Sequence, residues 1–131
     1  MAPIRIVTDS ASDIPQGFYP GVSVIPLAIA FGDRTFLDGV TLTHRQFYER
    51  LIESDELPTT SMVSPGQFAE VFEDAANAGE DVVAVVLSSK LSGTYESALL
   101  AARQLPGRVH VVDSMNATLG ERILVEYAVR L

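Results

Sequence analysis

At 131 residues and 47% apolar composition the chain has the size and content of one globular domain, large enough to bury most of a core. Its net charge of −8, with nine basic residues scattered along the sequence, argues against a nucleic-acid partner, because phosphate backbones are bound by clustered Lys and Arg. The absence of cysteine removes disulfides, thiolate catalysis and cysteine-based metal sites, and no stretch approaches the ~18 apolar residues of a membrane span, so a cytoplasmic protein without a transmembrane segment is expected.

Ile4–Thr8 reads as the first strand and Asp9–Asp13 as the polar loop at its C-terminal end. Pro15, Gly17, Pro20 and Gly21 leave room only for a turn or a short helix before a second strand at Val22–Pro26. Leu27–Phe31 and Thr35–Leu37 flank Gly32-Asp33-Arg34, the pattern of a hairpin. Thr43-His44-Arg45-Gln46 carries a capping box, and the helix it opens presents Phe47, Leu51 and Ile52 inward and stops near Ser54-Asp55. Pro58 holds Leu57–Ser61 extended, because the residue before a proline avoids helical angles. A second capping box, Ser64-Pro65-Gly66-Gln67, opens a helix with an apolar stripe of Phe68, Val71, Phe72, Ala75 and Ala76 that ends at Asn77-Ala78-Gly79.

Val82–Leu87 is a branched apolar run of the kind buried on both faces of a sheet. Ser88, Ser89, Ser92 and Gly93 follow, and from Thr94 the residues Ala98, Leu99, Ala101, Ala102 and Leu105 recur with helical spacing. This order delivers hydroxyls and free N–H groups to a helix N-terminus, where an incoming carboxylate or phosphate is stabilised; an ordinary serine cap explains the stretch equally well. Pro106-Gly107 then turns the chain into the strand Val109–Val112, which ends at Asp113-Ser114, and a last helix from Ala117 to Leu131 carries Leu119, Ile123, Leu124, Tyr127, Ala128 and Leu131. That helix reaches the end of the sequence without a stop signal, the mark expected of a truncated chain.

The alternation of strands and helices predicts an α/β domain with a mostly parallel sheet, and ligands of such sheets bind outside the C-terminal ends of the strands. Asp9-Ser10, Ser88–Ser92 and Asp113-Ser114 all fall at that edge. A serine hydrolase would need a base beside a serine, but only His44 and His110 are present, and no G-x-S-x-G elbow occurs. A phosphate or nucleotide binder would suit the hydroxyl loop, yet glycine-rich phosphate motifs are missing and the lone Lys90 reads as a solvated tip. Asp9, Asp13 and Asp113 would hold a divalent metal only if they converged, and bonding to backbone at strand ends is the simpler reading.

The segments IVTDSASDIP, VIPLAI, PTTSMVSPGQF, VVLSSKLSGTYESALLAA and VVDSMNATLG resemble, in order and over nearly the whole chain, the DegV family. The resemblance implies a three-layer α/β/α domain spanning 1–131 that corresponds to the N-terminal half of family members, without their C-terminal domain. It also implies a carrier, not an enzyme and without a cofactor or metal, that binds a long-chain fatty acid and presents it to a separate fatty-acid kinase subunit for acyl phosphate formation in phospholipid metabolism. Carried over by position, the carboxylate would be held by Thr60 and Ser61 and by Ser92, with Gly93 and Thr94 admitting close approach; Ser10, Asp9 and Ser114 are secondary candidates. Two departures stand out: Met62 occupies a position where the family usually has Gln, and a basic or imidazole group from the second domain is absent. A fragment that binds no ligand is the rival reading, and an exposed apolar face is expected to favour self-association.

Overall fold

The computed structural model describes residues 3–131; Met1 and Ala2, at the head of the expected domain, lie outside the described residues. Four strands, β1 (Ile4–Asp9), β2 (Val22–Ile25), β3 (Ala28–Phe31) and β4 (Arg34–Leu37), precede the first helix, α1 (His44–Glu53). Then come β5 (Thr59–Ser61), α2 (Pro65–Asn77), β6 (Asp81–Val86), α3 (Thr94–Ala102), β7 (Val109–Asp113) and α4 (Thr118–Arg130). The main sheet has the order β2-β1-β6-β7 and is parallel throughout.

Both faces of that sheet are covered, giving the three-layer arrangement. On one face Val7, Ile25, Val82, Ala84 and Val86 pack against Phe68, Phe72 and Ala75 of α2 and Ala98 and Ala101 of α3. On the other, Ile6, Val24 and Val85 meet Val125 and Ala128 of α4. The alternation Ile6/Val7 and Val85/Val86 between the two clusters is the period-2 signature of strands buried on both sides. The α2 stripe packs as its spacing predicts, with the Phe68 and Phe72 rings 5.6 Å apart and both buried.

A second sheet, β4-β3-β5, is antiparallel. The expected hairpin forms around Gly32-Asp33, Phe31 pairing with Arg34, and Gly32 adopts φ +61°, the left-handed region a tight hairpin turn requires. The extended segment after Pro58 becomes an added strand, Thr60 standing opposite Ile29. Helix α1 covers this small sheet and not the main one; Phe47 stacks against Phe31 at 5.8 Å within a cluster that includes Ile29 and Leu42. Because three short strands offer little surface, only Phe47 of its expected inward set packs, whereas Leu51 faces solvent and Ile52 is 85% exposed.

The phase of α4 also differs from its apolar stripe. Leu119, Ile123, Tyr127 and Leu131 are exposed, and the residues turned inward are Glu121, Val125 and, in part, Ala128. Glu121 is completely buried: Thr8 Oγ1 donates to its Oε1 at 3.2 Å, and Oε2 has no hydrogen-bond partner among the described residues. Burial, followed by the neighbouring Asp9 charge, pushes its pKa up to about 10. Burial raises Asp9 as well.

The consequence has a definite sign. Unfolded, Glu121 ionises near the usual carboxylate pKa of ~4.3, so between that pH and about 10 the native state binds more protons than the unfolded one. Stability is therefore greatest on the acid side of this window and declines as pH rises through it. Glu121→Gln, which keeps the shape of the neutral acid and cannot ionise, is expected to raise the urea midpoint at pH 9 and to flatten its decline between pH 5 and 9; equal slopes in wild type and variant would remove Glu121 as the cause.

Candidate functional site

Parallel pairing brings the C-terminal ends of β1, β6 and β7 to one edge, with the loops that follow them side by side. The three hydroxyl loops of the sequence do meet there. Asp9 is buried at its centre: Oδ1 accepts from Ala11 N at 3.0 Å and Oδ2 from Leu87 N at 2.7 Å, so one carboxylate ties the loop after β1 to the loop after β6. Ser10 Oγ accepts from Leu27 N at 3.0 Å and thereby anchors the approach to β3. Ser114, also buried, donates to Asn116 O at 3.0 Å and accepts from Asn116 N at 3.2 Å. All three secondary candidates are thus bonded to backbone within the fold. Asp113 is likewise engaged, accepting from Ser89 N at 3.2 Å and Met115 N at 2.9 Å, and its bonds to Ser89 hold it below the usual carboxylate range.

The TTS strand and the SGT loop are joined by a single buried hydroxyl. Thr94 Oγ1, at the start of α3, accepts from Val63 N at 3.2 Å, and Ser92 Oγ lies 2.9 Å from the same oxygen. Ser92 Oγ also accepts from Thr94 N at 3.2 Å. Gly93 occupies the N-cap position of α3 and has no side chain to cap it. Thr94 is fully buried and Ser92 half-buried, whereas Thr60 and Ser61 are exposed and make no side-chain hydrogen bond among the described residues. Being adjacent in a strand, Thr60 and Ser61 face opposite sides of the small sheet.

On Thr60's side opens a cleft of about 490 Å3, walled by Ile29, Phe47 and Tyr48 and bordered by Asp13, Asp38 and His44. It shares those last three residues with an adjoining hollow of about 210 Å3 lined also by Ser10, Ile14 and Val24. The larger cleft falls within the ~300–1,000 Å3 range of small-molecule sites, and its lining is mixed, Ile29, Phe47 and Tyr48 on one side and Asp13, Asp38, His44 and Thr60 on the other. Neither wall nor border was readable from the sequence, because the residues come from β3, the loop after β1, the loop after β4 and α1; the pairing of β5 with β3 brings Thr60 to them.

Met62 completes the head of the arrangement. Its Sδ lies 3.9 Å from Ser97 Oγ, and a Cβ placed on Gly93 would come within 2.5 Å of it. The thioether therefore rests on the bare backbone of the first turn of α3. His44 and His110 are both exposed, and neither hydrogen-bonds a serine among the described residues.

A DegV domain-containing protein of Caldanaerobacter subterraneus subsp. tengcongensis is 42% identical over 134 residues, covering 100% of this chain and 48% of its own length. The solved structure of a DegV family protein from Thermus thermophilus, described for its fatty acid binding, superposes with a TM-score of 0.90 at 40% identity, over 100% of this chain and 47% of that one. The Fatty Acid Kinase (Fak) B3 protein of Streptococcus pneumoniae, solved loaded with linoleic acid, gives a TM-score of 0.85 at 28% identity over 98% of this chain and 48% of that one. The chain thus spans about half the length of the relatives it matches. No helix among the described residues is long and apolar enough to cross a membrane. Residues 3–131 match the model of the DegV family of uncharacterised proteins, and the chain belongs to that family.

Proposed function

We propose that the chain holds the carboxylate of a long-chain fatty acid between the TTS strand and the SGT loop, with the acyl chain along the apolar wall of Ile29, Phe47 and Tyr48. The observation that carries this reading is the hydroxyl relay from Val63 N through Thr94 Oγ1 to Ser92 Oγ. Thr94 Oγ1 receives the Val63 N–H and shares a hydrogen bond with Ser92 Oγ, which also accepts from Thr94 N–H; with Thr94 as the donor of the shared bond, Ser92 Oγ accepts twice. The Ser92 proton is then free for an external acceptor, and each bond in such a chain polarises the next. Thr60, on the cleft side of β5, adds a hydroxyl with no side-chain hydrogen bond among the described residues, while Ser61 faces the other side of the strand, and the start of α3 favours negative charge. Solved relatives that bind fatty acids, including the T. thermophilus protein, support the choice of ligand.

The chemistry also suits a carrier more than an enzyme. A carboxylate held by neutral donors keeps an oxygen nucleophilic, whereas a bidentate ion pair to Arg would hold both oxygens tightly. In this reading the chain presents the acid to a separate kinase subunit in the cytoplasm, which transfers a phosphoryl group to the carboxylate oxygen and releases an acyl phosphate. The linoleic-acid-loaded fatty acid kinase relative supports that assignment.

Palmitate binding by titration calorimetry tests the site. Thr60→Ala and Ser92→Ala each remove a hydrogen bond to a charged acceptor, of order 1.5–3 kcal/mol, so each is expected to weaken binding by about ten- to hundredfold. Burial of each methylene is worth about 0.8 kcal/mol, which makes affinity rise about fourfold per carbon until the cleft is filled; affinity that does not vary from octanoate to palmitate would sink the assignment of the apolar wall. Thr94→Val leaves the buried Val63 N–H unpaired and should cost ~1–3 kcal/mol of stability as well as binding, while Thr94→Ser restores both.

A further inference from the structure

Of the three methionines in the sequence, Met62 is the one placed on the proposed site. Its side chain is 54% exposed, within reach of small oxidants, yet its sulfur is seated: it lies against the Gly93 backbone and 3.9 Å from Ser97 Oγ. Ser97 is 2% exposed, and that weak contact to sulfur is the sole hydrogen bond its hydroxyl makes among the described residues. A buried hydroxyl is thus left almost unsatisfied beneath the site, facing a poor acceptor.

We propose that Met62 is an oxidation-controlled gate: conversion of its thioether to the sulfoxide fastens the side chain to Ser97 across the first turn of α3 and closes the head-group site. The step is balanced with hydrogen peroxide as oxidant. A sulfur lone pair attacks the terminal peroxide oxygen, the O–O bond breaks, an S–O bond forms and water leaves, the sulfur losing two electrons; a dithiol-dependent methionine sulfoxide reductase reverses it with release of the oxygen as water. The product changes the physics at one atom. A sulfoxide oxygen is a strong acceptor carrying partial negative charge, so Ser97 gains the partner it lacks, and the positive end of α3 stabilises the oxygen as it would a carboxylate. The side chain then competes with the ligand for the same donors. The proposal rests on the fatty-acid reading for its consequence, though not for the Ser97 bond itself.

Hydrogen peroxide treatment of the full chain, with peptide mass mapping, measures both. In the first arm, amide hydrogen exchange across 94–97 is followed without ligand: formation of Met62 sulfoxide is expected to slow exchange there in wild type and not in Ser97→Ala. In the second, palmitate affinity is compared before and after treatment within each protein. About a tenfold loss is expected in wild type and in Met115→Leu, which removes the other exposed methionine among the described residues, with recovery on reductase treatment and no change of ratio in Met62→Leu. Resistance of Met62 to peroxide, unchanged exchange across 94–97 after its oxidation, or an equal loss of affinity in Met62→Leu would each overturn the gate. If the untreated chain binds no palmitate, the fatty-acid reading fails by itself and the exchange arm alone decides whether the latch exists.

Discussion

The buried Asp9 carboxylate is the constraint on which the C-terminal edge of the main sheet depends. The loops after β1 and β6 each turn away from the sheet with an N–H that would otherwise be buried without a partner, and Asp9 accepts both, from Ala11 and Leu87. An unpaired buried donor costs ~1–3 kcal/mol, so the two bonds together outweigh much of the expense of removing a carboxylate from water. The loop geometry follows: Ser10 reaches Leu27 N, and the chain after Leu87 turns through Ser88 toward α3. Glu121 is the counterpart of this choice. Packed against Thr8 and Asp9, it is held neutral, first by its burial away from water and then by the neighbouring Asp9 charge.

Around that frame the site is assembled from neutral groups. A chain of net charge −8 repels an anion at long range, and no Lys or Arg sits among the TTS and SGT residues to offset this. What remains is local: hydroxyl protons and an uncapped helix start, effective only at hydrogen-bond distance. The site we propose would select for ligands that bring their own driving force, as an acyl chain leaving water does. It also explains why Thr94, the one hydroxyl of the SGT loop that is fully buried, is spent on the backbone of Val63: the two halves of the site come from distant segments, and that bond sets their separation.

Much of this was legible before any coordinates. Both capping boxes, the Gly32 hairpin, the buried β6 run and the three polar loops at strand ends appear where local chemistry put them. The misses share a cause, which is that a local pattern does not say what lies opposite. Leu51 and Ile52 had the spacing of a core face, but α1 meets only a three-stranded sheet, too narrow to cover them. In α4 the richest apolar stripe lost to a face containing Glu121, because the position against β1 needed a short stretch of Val125 and Ala128 and a polar group beside Thr8. The pairing of Thr59–Ser61 with β3, which turns a loop into the wall of a cleft, spans about thirty residues and leaves no mark on either segment alone.

The strand order has a further consequence, for how the chain acquires its shape. β1, the first strand in the described order, is a central one, and its second neighbour, β6, begins only after α2, so Asp9 and Leu87 are 78 positions apart. During synthesis the β1–β2 pair and the hairpin with its helix can form early, while one long edge of β1, rich in Ile and Val, stays open until β6 emerges. Contacts of such separation are entropically late and leave the nascent chain exposed to strand addition from other molecules. The polar residue that organises the finished edge is therefore also among the last to find its partner, and a chain halted short of Leu87 would carry a charged carboxylate at the end of a strand paired on one edge only, a feature that discourages premature burial until the correct neighbour arrives.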